Sequence, residues 1–417
     1  MDKIVVRGGA QLKGEVEIGG AKNAALPIMA ATLLAPGVHT LRNVPSLVDV
    51  RTMGHVLRVL GCQVTHHDHS LTIDTSNCSY HEAPYELVKT MRASVCVLGP
   101  LLARHQSARV SLPGGCAWGP RPVDFHIRAM EALGATVDIE HGYIVAKADR
   151  LRGSVIHFDT SSVGATENAM MAAVLAEGTT VIENAAREPE ITALADFLIA
   201  MGAKMEGAGT ATITIEGVTD LRAVEHRVIP DRIEAGTFMV ASAITGGDVL
   251  MKGVVREHCS AVVSKLEAAG TEIVDEPGGL RVRGPVWARA INVTTAPYPG
   301  FATDMQAQMM ALMTVADGTS VITETIYVDR FSHVPELRRL GADISLDHNI
   351  AVVTGVKKLS GAKVMATDLR ASAALILAGL VAEGETEVSR VYHIDRGYEK
   401  IEEKLAGLGA SIQRVSE

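Results

Sequence analysis

Hydrophobic and polar positions along the 417-residue chain follow one pattern that recurs six times. Each copy has the apolar end of a helix, a glycine, and then the alternating residues of a strand. The copies are VLRVLGCQV, MEALGATV, LIAMGAKM, LEAAGTEI, LRRLGADI and LAGLGASI, and their glycines are Gly61, Gly134, Gly202, Gly270, Gly341 and Gly409. Separations of 73, 68, 68, 71 and 68 residues between these glycines predict six copies of one helix and strand unit.

Two other elements recur in step with this phrase. Nearly all-apolar segments include 23–35, 93–103 and 371–382, and glycine-led strands include 178–184 and 318–324. A helix that is apolar on every side must be buried on every side. The pattern therefore predicts an α/β fold of two similar domains, each with three β/α units whose central helices are enclosed by sheets and outer helices, as in an inside-out α/β barrel.

The two ends of the chain complete this arrangement. The chain opens on a lone strand, 3–8, and closes on a strand, 410–415, that has no partner after it. If these strands pair, one domain comprises residues 1–21 and 230–417, and the other comprises residues 22–229. The chain then crosses twice between the domains, at EIGGAKN and HRVIPDR. We expect a hinge at these crossings and an active site in the cleft between the domains.

Composition and charge narrow the class of protein. The chain is 47% hydrophobic and 21% charged, as is typical of a globular protein. Its net charge of −9 argues against binding to nucleic acid or to an anionic membrane, because such surfaces need basic residues. The apolar runs 24–38 and 371–382 are too short to span a bilayer. The first residues lack the apolar block of a signal peptide, so we expect a cytoplasmic protein.

One cysteine stands where no regular element can form. The segment LPGGCAWGPRPVD at 112–124 carries three prolines and three glycines, which predict an exposed loop. Accessibility is what a reactive thiol needs, so Cys116 is a candidate reactive group. Cys62 and Cys96 fit ordinary buried packing. The five cysteines contain no C-x-x-C pair, which predicts neither a disulfide framework nor a zinc site.

Other polar residues collect at the starts of the buried helices and in the loops before the outer helices. Cations near helix N-termini form sites for phosphates and carboxylates, so we expect a strongly anionic substrate. Taken singly, each arginine also fits a solvated surface, and Asp304 also fits a first-turn acid beside the helix dipole. The candidates at helix starts are Lys22, Asn23, Arg92, Ser162 to Gly164, Asp304 and Arg370. Those in the loops are Cys116, Arg121, Asp124, Arg330 and Arg396.

Seven segments resemble the enolpyruvyl transferase family, in the branch that acts on UDP-N-acetylglucosamine. They are GGAKNAALP (19–27), LPGGCAWGPRPVD (112–124), SVGATEN (162–168), PDRIEAGTF (230–238), TDMQAQ (303–308), DLRAS (368–372) and HIDRGYE (393–399). This resemblance covers the whole chain. It implies addition of the sugar 3′-hydroxyl to phosphoenolpyruvate and elimination of phosphate, without a cofactor or a metal, at the start of peptidoglycan synthesis.

Two alternatives stand beside this resemblance. The sister branch that makes enolpyruvylshikimate 3-phosphate shares the six-unit architecture. It lacks the cysteine loop and carries a serine-rich phosphate motif where GGAKN stands here. Six similar units could also form a clamp around nucleic acid. The net charge disfavours that hypothesis, as does the grouping of cations beside one unrepeated cysteine and one unrepeated aspartate.

The resemblance also assigns roles to residues. An acid must protonate the methylene carbon of phosphoenolpyruvate while a base takes the hydroxyl proton, and Cys116 and Asp304 fit those roles. Trp118 and Phe125 depart from the smaller or aliphatic residues common in the family. Phosphoenolpyruvate contacts are matched by Lys22, Arg121 and Arg396, with Asn23, Arg92, Arg330 and Arg370 lining the same cavity. Nucleotide-sugar contacts are matched by Arg92, Arg121, Pro122, Val123, Asp124, Phe125, Ser162, Val163, Gly164, Thr303, Asp304 and Ile326.

Overall fold

Two units of the chain are distinguished in a computed structural model of the protein. One comprises Met1–Gly19 with Pro230–Glu417, and the other comprises Gly20–Ile229. The structure describes residues 2–88, 91–112 and 123–416, with the side chains of all of these except 88 and 92–94.

The elements are numbered along the chain. The strands are β1 (Lys3–Arg7), β2 (Lys13–Glu17), β3 (Val38–Arg42), β4 (Gln63–His67), β5 (Ser70–Asp74), β6 (Glu82–Ala83), β7 (Ser107–Ser111), β8 (Thr136–Glu140), β9 (Tyr143–Lys147), β10 (Val155–His157), β11 (Thr179–Glu183), β12 (Lys204–Glu206), β13 (Thr212–Glu216), β14 (Glu225–Arg227), β15 (Asp248–Lys252), β16 (Glu272–Glu276), β17 (Gly279–Arg283), β18 (Val293–Thr294), β19 (Thr319–Thr323), β20 (Asp343–Asp347), β21 (Ile350–Thr354), β22 (Lys363–Met365), β23 (Glu385–Ser389) and β24 (Ser411–Val415).

The α-helices are α1 (Lys22–Ala31), α2 (Val48–Val59), α3 (Tyr85–Val88), α4 (Leu98–His105), α5 (Asp124–Ala132), α6 (Val163–Ala173), α7 (Pro189–Met201), α8 (Arg232–Ile244), α9 (Ser260–Ala268), α10 (Gln306–Met313), α11 (Val334–Arg339), α12 (Ala371–Gly379) and α13 (Ile401–Gly407). Short 3₁₀ helices span Thr32–Leu34, Arg92–Val97, Arg256–Cys259, Thr303–Met305 and Val391–Arg396.

Within the described ranges, six four-stranded sheets share one topology. A central strand pairs in parallel with an edge strand on one side and antiparallel with a two-stranded pair on the other; that pair is a hairpin in five sheets and the terminal strands β1 and β24 in the sixth. In the unit of Gly20–Ile229 the orders are β14-β3-β5-β4, β6-β7-β9-β8 and β10-β11-β13-β12. In the other unit they are β2-β15-β17-β16, β18-β19-β21-β20 and β22-β23-β1-β24. The predicted sixfold repetition is confirmed.

The pairing of the terminal strands is also confirmed. β1 lies antiparallel to β24, with Lys3 opposite Val415, and antiparallel to β23 on its other side. It thereby fills the position that the last repeat leaves open. The repeated glycines have one cause, because all six adopt φ between 91° and 115° after a helix end. A side chain rarely tolerates that left-handed conformation.

The first helix of each repeat lies in the core, as predicted. In the unit that contains the chain ends, every residue of α10 and α12 is buried, and α8 is buried at every position after Arg232. The segment 93–103 differs from the predicted single helix, because a 3₁₀ helix precedes α4. Pro100 lies in the first turn of α4, where its missing N–H would have no intrahelical partner. No helix in the described ranges has the length and apolarity to cross a bilayer.

Candidate active site

The N-terminal end of α10 holds an aspartate against an arginine. Asp304 lies in the 3₁₀ turn directly before α10, and its side chain is 28% exposed. Arg330, which precedes α11, donates from Nη1 to Asp304 Oδ1 at 2.7 Å and to Thr303 Oγ1 at 3.1 Å. Arg330 is 8% exposed, which excludes the alternative that it is a solvated surface arginine. These contacts bring three predicted site residues together.

Arg370 reaches the same aspartate from the start of α12. Its side chain is 1% exposed, with Nη1 donating to the Gly397 carbonyl at 2.8 Å and Nη2 to Asp231 Oδ2 at 3.2 Å. The Nε atom lies 3.9 Å from Asp304 Oδ2, beyond hydrogen-bond distance. Its N–H has no hydrogen-bond acceptor among the described residues. Asp304 therefore faces two buried guanidinium groups.

Two aspartates balance these cations, and the sequence analysis missed both. Asp231 caps α8 with Oδ1 and accepts from Arg370 with Oδ2. Asp368 accepts from the first backbone amides of α12 with Oδ1 and from Arg330 Nε with Oδ2 at 3.4 Å. An aspartate before a helix is ordinarily read as a cap alone. The signal that could have identified them is their position in the PDR and DLR segments, one or two residues before an arginine.

Burial and ion pairing act in opposite directions on both arginines. Burial alone would lower the pKa of Arg330, but Asp304 and Asp368 outweigh it, so the pKa is raised. Burial would likewise lower the pKa of Arg370, and Asp231 is the first of the groups that raise it above its ordinary value. Both guanidinium groups therefore stay charged in the interior, where their field is weakly screened.

Arg396 and Ile326 lie near this group of residues. Arg396 ends the 3₁₀ helix before α13 and is half-buried. The pKa of His393 is lowered by burial and by Arg396, against the attraction of Asp368, so these charges lie within electrostatic range of one another. Ile326 follows β19 and is 37% exposed. Its backbone amide donates to Glu324 Oε1 at 2.8 Å.

In the unit of Gly20–Ile229, a buried lysine opens α1. Lys22 is 6% exposed, and its Nζ donates to Asp49 Oδ2 at 3.0 Å. Asn23 is the one residue of α1 that is not buried, and it lies in the first turn. The 3₁₀ helix that begins at Arg92 packs against α1, which brings its backbone to the same region. The side chain of Arg92 is outside the described part of the structure.

The start of α6 meets α5. Ser162 caps α6, with its Oγ accepting from the Ala165 amide at 3.5 Å. Val163 and Gly164 are the residues of α6 that are not buried. Gly164 lies against the ring of His126 in α5, where an added Cβ would be 3.2 Å from Cε1. The first turn of α6 thus faces the helix that follows the cysteine loop in sequence.

Two of the predicted nucleotide-sugar contacts lie at the start of that helix, and a third directly precedes it. Asp124 opens α5 instead of lying in the loop before it, and Val123 precedes it. Phe125 packs edge to face on Phe158, with ring centroids 5.8 Å apart. Stacking of this kind fixes the orientation of the ring. Cys116, Trp118, Arg121 and Pro122 lie outside the described residues, so their roles remain predictions.

Comparisons with known proteins agree with one another. The family model for EPSP synthase (3-phosphoshikimate 1-carboxyvinyltransferase) matches residues 6–405. The UDP-N-acetylglucosamine 1-carboxyvinyltransferase of Geobacter metallireducens is 60% identical over 417 residues and covers all of both chains. The same enzyme of Myxococcus xanthus is 60% identical and covers 99% of each.

Solved structures give the same fold. The enolpyruvyl transferase NikO from Streptomyces tendae superposes with a TM-score of 0.90 at 26% identity, over 100% of this chain and 99% of that one. An EPSP synthase from Acinetobacter baumannii superposes with a TM-score of 0.79 at 18% identity over both full chains, and at that identity the likeness concerns the fold alone.

Proposed function

This chain belongs to the family of UDP-N-acetylglucosamine 1-carboxyvinyltransferases, within the wider EPSP synthase family, and on that premise we propose the reaction that it catalyses. It transfers the enolpyruvyl group of phosphoenolpyruvate to the 3′-hydroxyl of UDP-N-acetylglucosamine and releases phosphate. The observation that carries the proposal is the convergence of Arg330 and Arg370 on Asp304, because a partly exposed carboxylate between buried cations suits proton transfer beside an anionic substrate.

The reaction proceeds by addition and elimination. In the addition, the sugar oxygen bonds to C2 of phosphoenolpyruvate, the hydroxyl proton goes to Asp304, and Cys116 gives a proton to C3. In the elimination, C3 returns a proton to the Cys116 thiolate, the double bond forms again, and the bond from C2 to the phosphate oxygen breaks, so that phosphate leaves with the proton held by Asp304. Proton transfer by positioned groups of this kind contributes typically ~10²–10⁴ in rate.

The basic residues of the proposed site have different roles toward the two substrates. We assign phosphoenolpyruvate to Lys22, Asn23, Arg121 and Arg396, whose charges and amide suit a phosphate and a carboxylate. Arg330 and Arg370 add buried positive charge beside Asp304, and Arg330 also donates a hydrogen bond to that carboxylate. We assign binding of the nucleotide sugar to Arg92, Arg121 to Phe125, Ser162 to Gly164, Thr303, Asp304 and Ile326.

The identities of the relatives favour this reaction over that of the sister branch. Relatives named for UDP-N-acetylglucosamine reach 60% identity over the whole chain, whereas the EPSP synthase structures stand at 17% and 18%. We accordingly assign the product to peptidoglycan synthesis, and the enzyme to the cytoplasm, where both substrates are made. No step of this mechanism calls for a metal or a cofactor.

Phosphate release tests the proposal directly. The purified protein is incubated with phosphoenolpyruvate and either UDP-N-acetylglucosamine or shikimate 3-phosphate, and free phosphate is measured. We expect release with UDP-N-acetylglucosamine and none above background with shikimate 3-phosphate. Release with shikimate 3-phosphate alone would establish the sister activity, and release with neither acceptor would contradict an enolpyruvyl transferase.

A further inference from the structure

A fully buried glutamate lies behind two of the proposed nucleotide-sugar contacts. Glu324 follows β19 and is 0% exposed. Its Oε2 accepts from Thr303 Oγ1 at 2.9 Å. Its Oε1 accepts from the amide of Ile326 at 2.8 Å and from that of Tyr327 at 3.1 Å. One carboxylate thus holds the turn before α10 and the segment after β19.

The same carboxylate sets the orientation of a hydroxyl that serves Arg330. Thr303 has a single hydroxyl proton, which is directed at Glu324, so its lone pairs are left to accept from Arg330 Nη1 at 3.1 Å. Arg330 Nη1 also donates to Asp304 Oδ1 at 2.7 Å. A continuous chain of hydrogen bonds therefore runs from Glu324 to the proposed base.

The residue after the central strand can be compared across the six repeats, which distinguishes a contact shared between repeats from the contacts that Glu324 makes in addition. The positions that follow the six central strands are occupied by Asn43, Leu112, Asn184, Gly253, Glu324 and Arg390. Asn43 and Asn184 each donate to the carbonyl of the residue after the parallel edge strand, at 2.9 and 2.7 Å. Glu324 makes the equivalent contact by accepting from Thr295 Oγ1 at 2.8 Å.

Beyond that shared contact, the carboxylate of Glu324 accepts three hydrogen bonds, and all three come from Thr303 or from residues 326–327. Two other repeats carry an asparagine here, at a left-handed φ of 58° and 53° that Glu324 does not adopt. Burying a carboxylate without hydrogen bonds such as these three is costly. Three of the four hydrogen bonds that offset the burial of this carboxylate therefore come from the segments of the proposed nucleotide-sugar site. We infer that Glu324 is a positioning residue for the nucleotide sugar, holding Thr303 and the backbone at Ile326 in their binding geometry. This inference rests on the proposed function.

The test uses Glu324→Gln in the full-length enzyme, with KM measured for each substrate from phosphate release. The amide keeps the shape but removes the charge and one acceptor. We expect the KM for UDP-N-acetylglucosamine to rise about tenfold, as for loss of a charge-assisted hydrogen bond, with the KM for phosphoenolpyruvate within about twofold. Thr295→Val is the matched control, because it removes the Glu324 partner that is not a proposed substrate contact, together with the bond that its hydroxyl accepts from the Thr325 amide. It should lower the melting temperature and leave both KM values within about twofold.

Two further measurements keep the role falsifiable. Glu324→Asn places here the residue that other repeats carry, and it replaces Glu324→Gln if the glutamine variant does not fold. In the Thr303→Val background, Glu324→Gln should add much less than it does alone, since the pair acts as a unit. Equal changes in both KM values, no change in either, or full additivity with Thr303→Val would overturn the positioning role.

These outcomes are distinct from failure of the proposed function. If the wild-type enzyme releases no phosphate with either acceptor, the proposed reaction fails. Calorimetric titration with UDP-N-acetylglucosamine then decides the role of Glu324 by itself. Binding about tenfold weaker in Glu324→Gln than in wild type supports the role, and equal binding or no binding to wild type overturns it.

Discussion

Replacing Asp49 with asparagine should destabilise the unit of Gly20–Ile229 while keeping its shape. Lys22 and Asp49 form an ion pair at 3.0 Å, with side chains 7% and 5% exposed. Lys22 opens α1, where the helix dipole is positive. The helix terminus and burial both disfavour an ammonium group at this place, and Asp49 offsets both effects. A buried lysine at a helix N-terminus, where both burial and the helix dipole disfavour its charge, fits a role in binding an anion.

The burial of the pair sets the size of the effect. Removing one partner of a buried ion pair costs about 3–5 kcal/mol, because the other charge stays in the interior. The ordinary lysine pKa limits this cost, since releasing the proton at pH 7 instead requires about 5 kcal/mol. We therefore expect Asp49→Asn to lower the free energy of unfolding by about 3–5 kcal/mol. Lys22→Met combined with Asp49→Leu removes both charges and should recover most of that loss.

Urea unfolding followed by circular dichroism measures these differences, and phosphate release measures activity in the same preparations. The double variant should be stable and inactive. Glu177→Gln is the matched control, because Arg150 and Glu177 form an exposed pair at 3.6 Å in the same unit, worth at most about 1 kcal/mol. The reasoning is refuted if Asp49→Asn unfolds within about 1 kcal/mol of wild type, or if the double variant is no more stable than Asp49→Asn.

Three other changes test the proposed chemistry and the buried charges. Cys116→Ser should lose about 10²–10⁴ in phosphate release without unfolding, because a serine hydroxyl is too weak an acid to protonate carbon, and near-normal turnover would contradict the assignment. Asp304→Asn should lower kcat by about 10² or more and leave calorimetric binding of UDP-N-acetylglucosamine nearly unchanged; abolished binding would make Asp304 a binding residue instead. Burial lowers the pKa of His333 to about 4, with Asp368 opposing the shift and Arg330 adding to it. The unfolded chain therefore binds the extra proton between pH 6.5 and 4, and about 3 kcal/mol of stability is lost as the pH falls through that window. His333→Leu should remove this part of the pH dependence in urea unfolding, and an unchanged dependence would contradict it.

The fold was predictable because its signals are local and repeated. Each glycine of the repeated phrase takes a left-handed φ after a helix end, so one requirement of the backbone appears six times in the sequence. The apolar helices were equally informative, since a segment without a polar face must be buried. The start of α4 was not predicted, because the apolar pattern runs unchanged through 93–103 and a proline within it does not fix a boundary: Pro27 lies inside α1, whereas Pro100 lies in the first turn of α4.

The candidate site was predictable only in part, because ion pairs join residues far apart in sequence. Arg370 pairs with Asp231 across 139 positions, and Arg330 pairs with Asp368 across 38. Each aspartate also satisfies a local helix cap, and that local role hides the distant one. Glu324 was missed for a related reason, since its partners become neighbours only when the turn before α10 packs beside the segment after β19.

Differences among the helix starts support an anionic ligand more strongly than the count of cations does. Ser162 and Asp231 cap α6 and α8 with their own side chains, and the Asp368 carboxylate accepts from the first amides of α12. Among the first helices of the repeats, in the described part of the chain, three starts have no side-chain cap: α1, the 3₁₀ helix of Arg92–Val97 and the 3₁₀ turn before α10, whose N-cap residues are Ala21, Met91 and Ala302. Amides left uncapped at a helix start attract anions, and a carboxylate cap there would compete with them. These three uncapped starts lie beside Lys22, Arg92 and Asp304, all of which the proposal assigns to the substrates or to the chemistry.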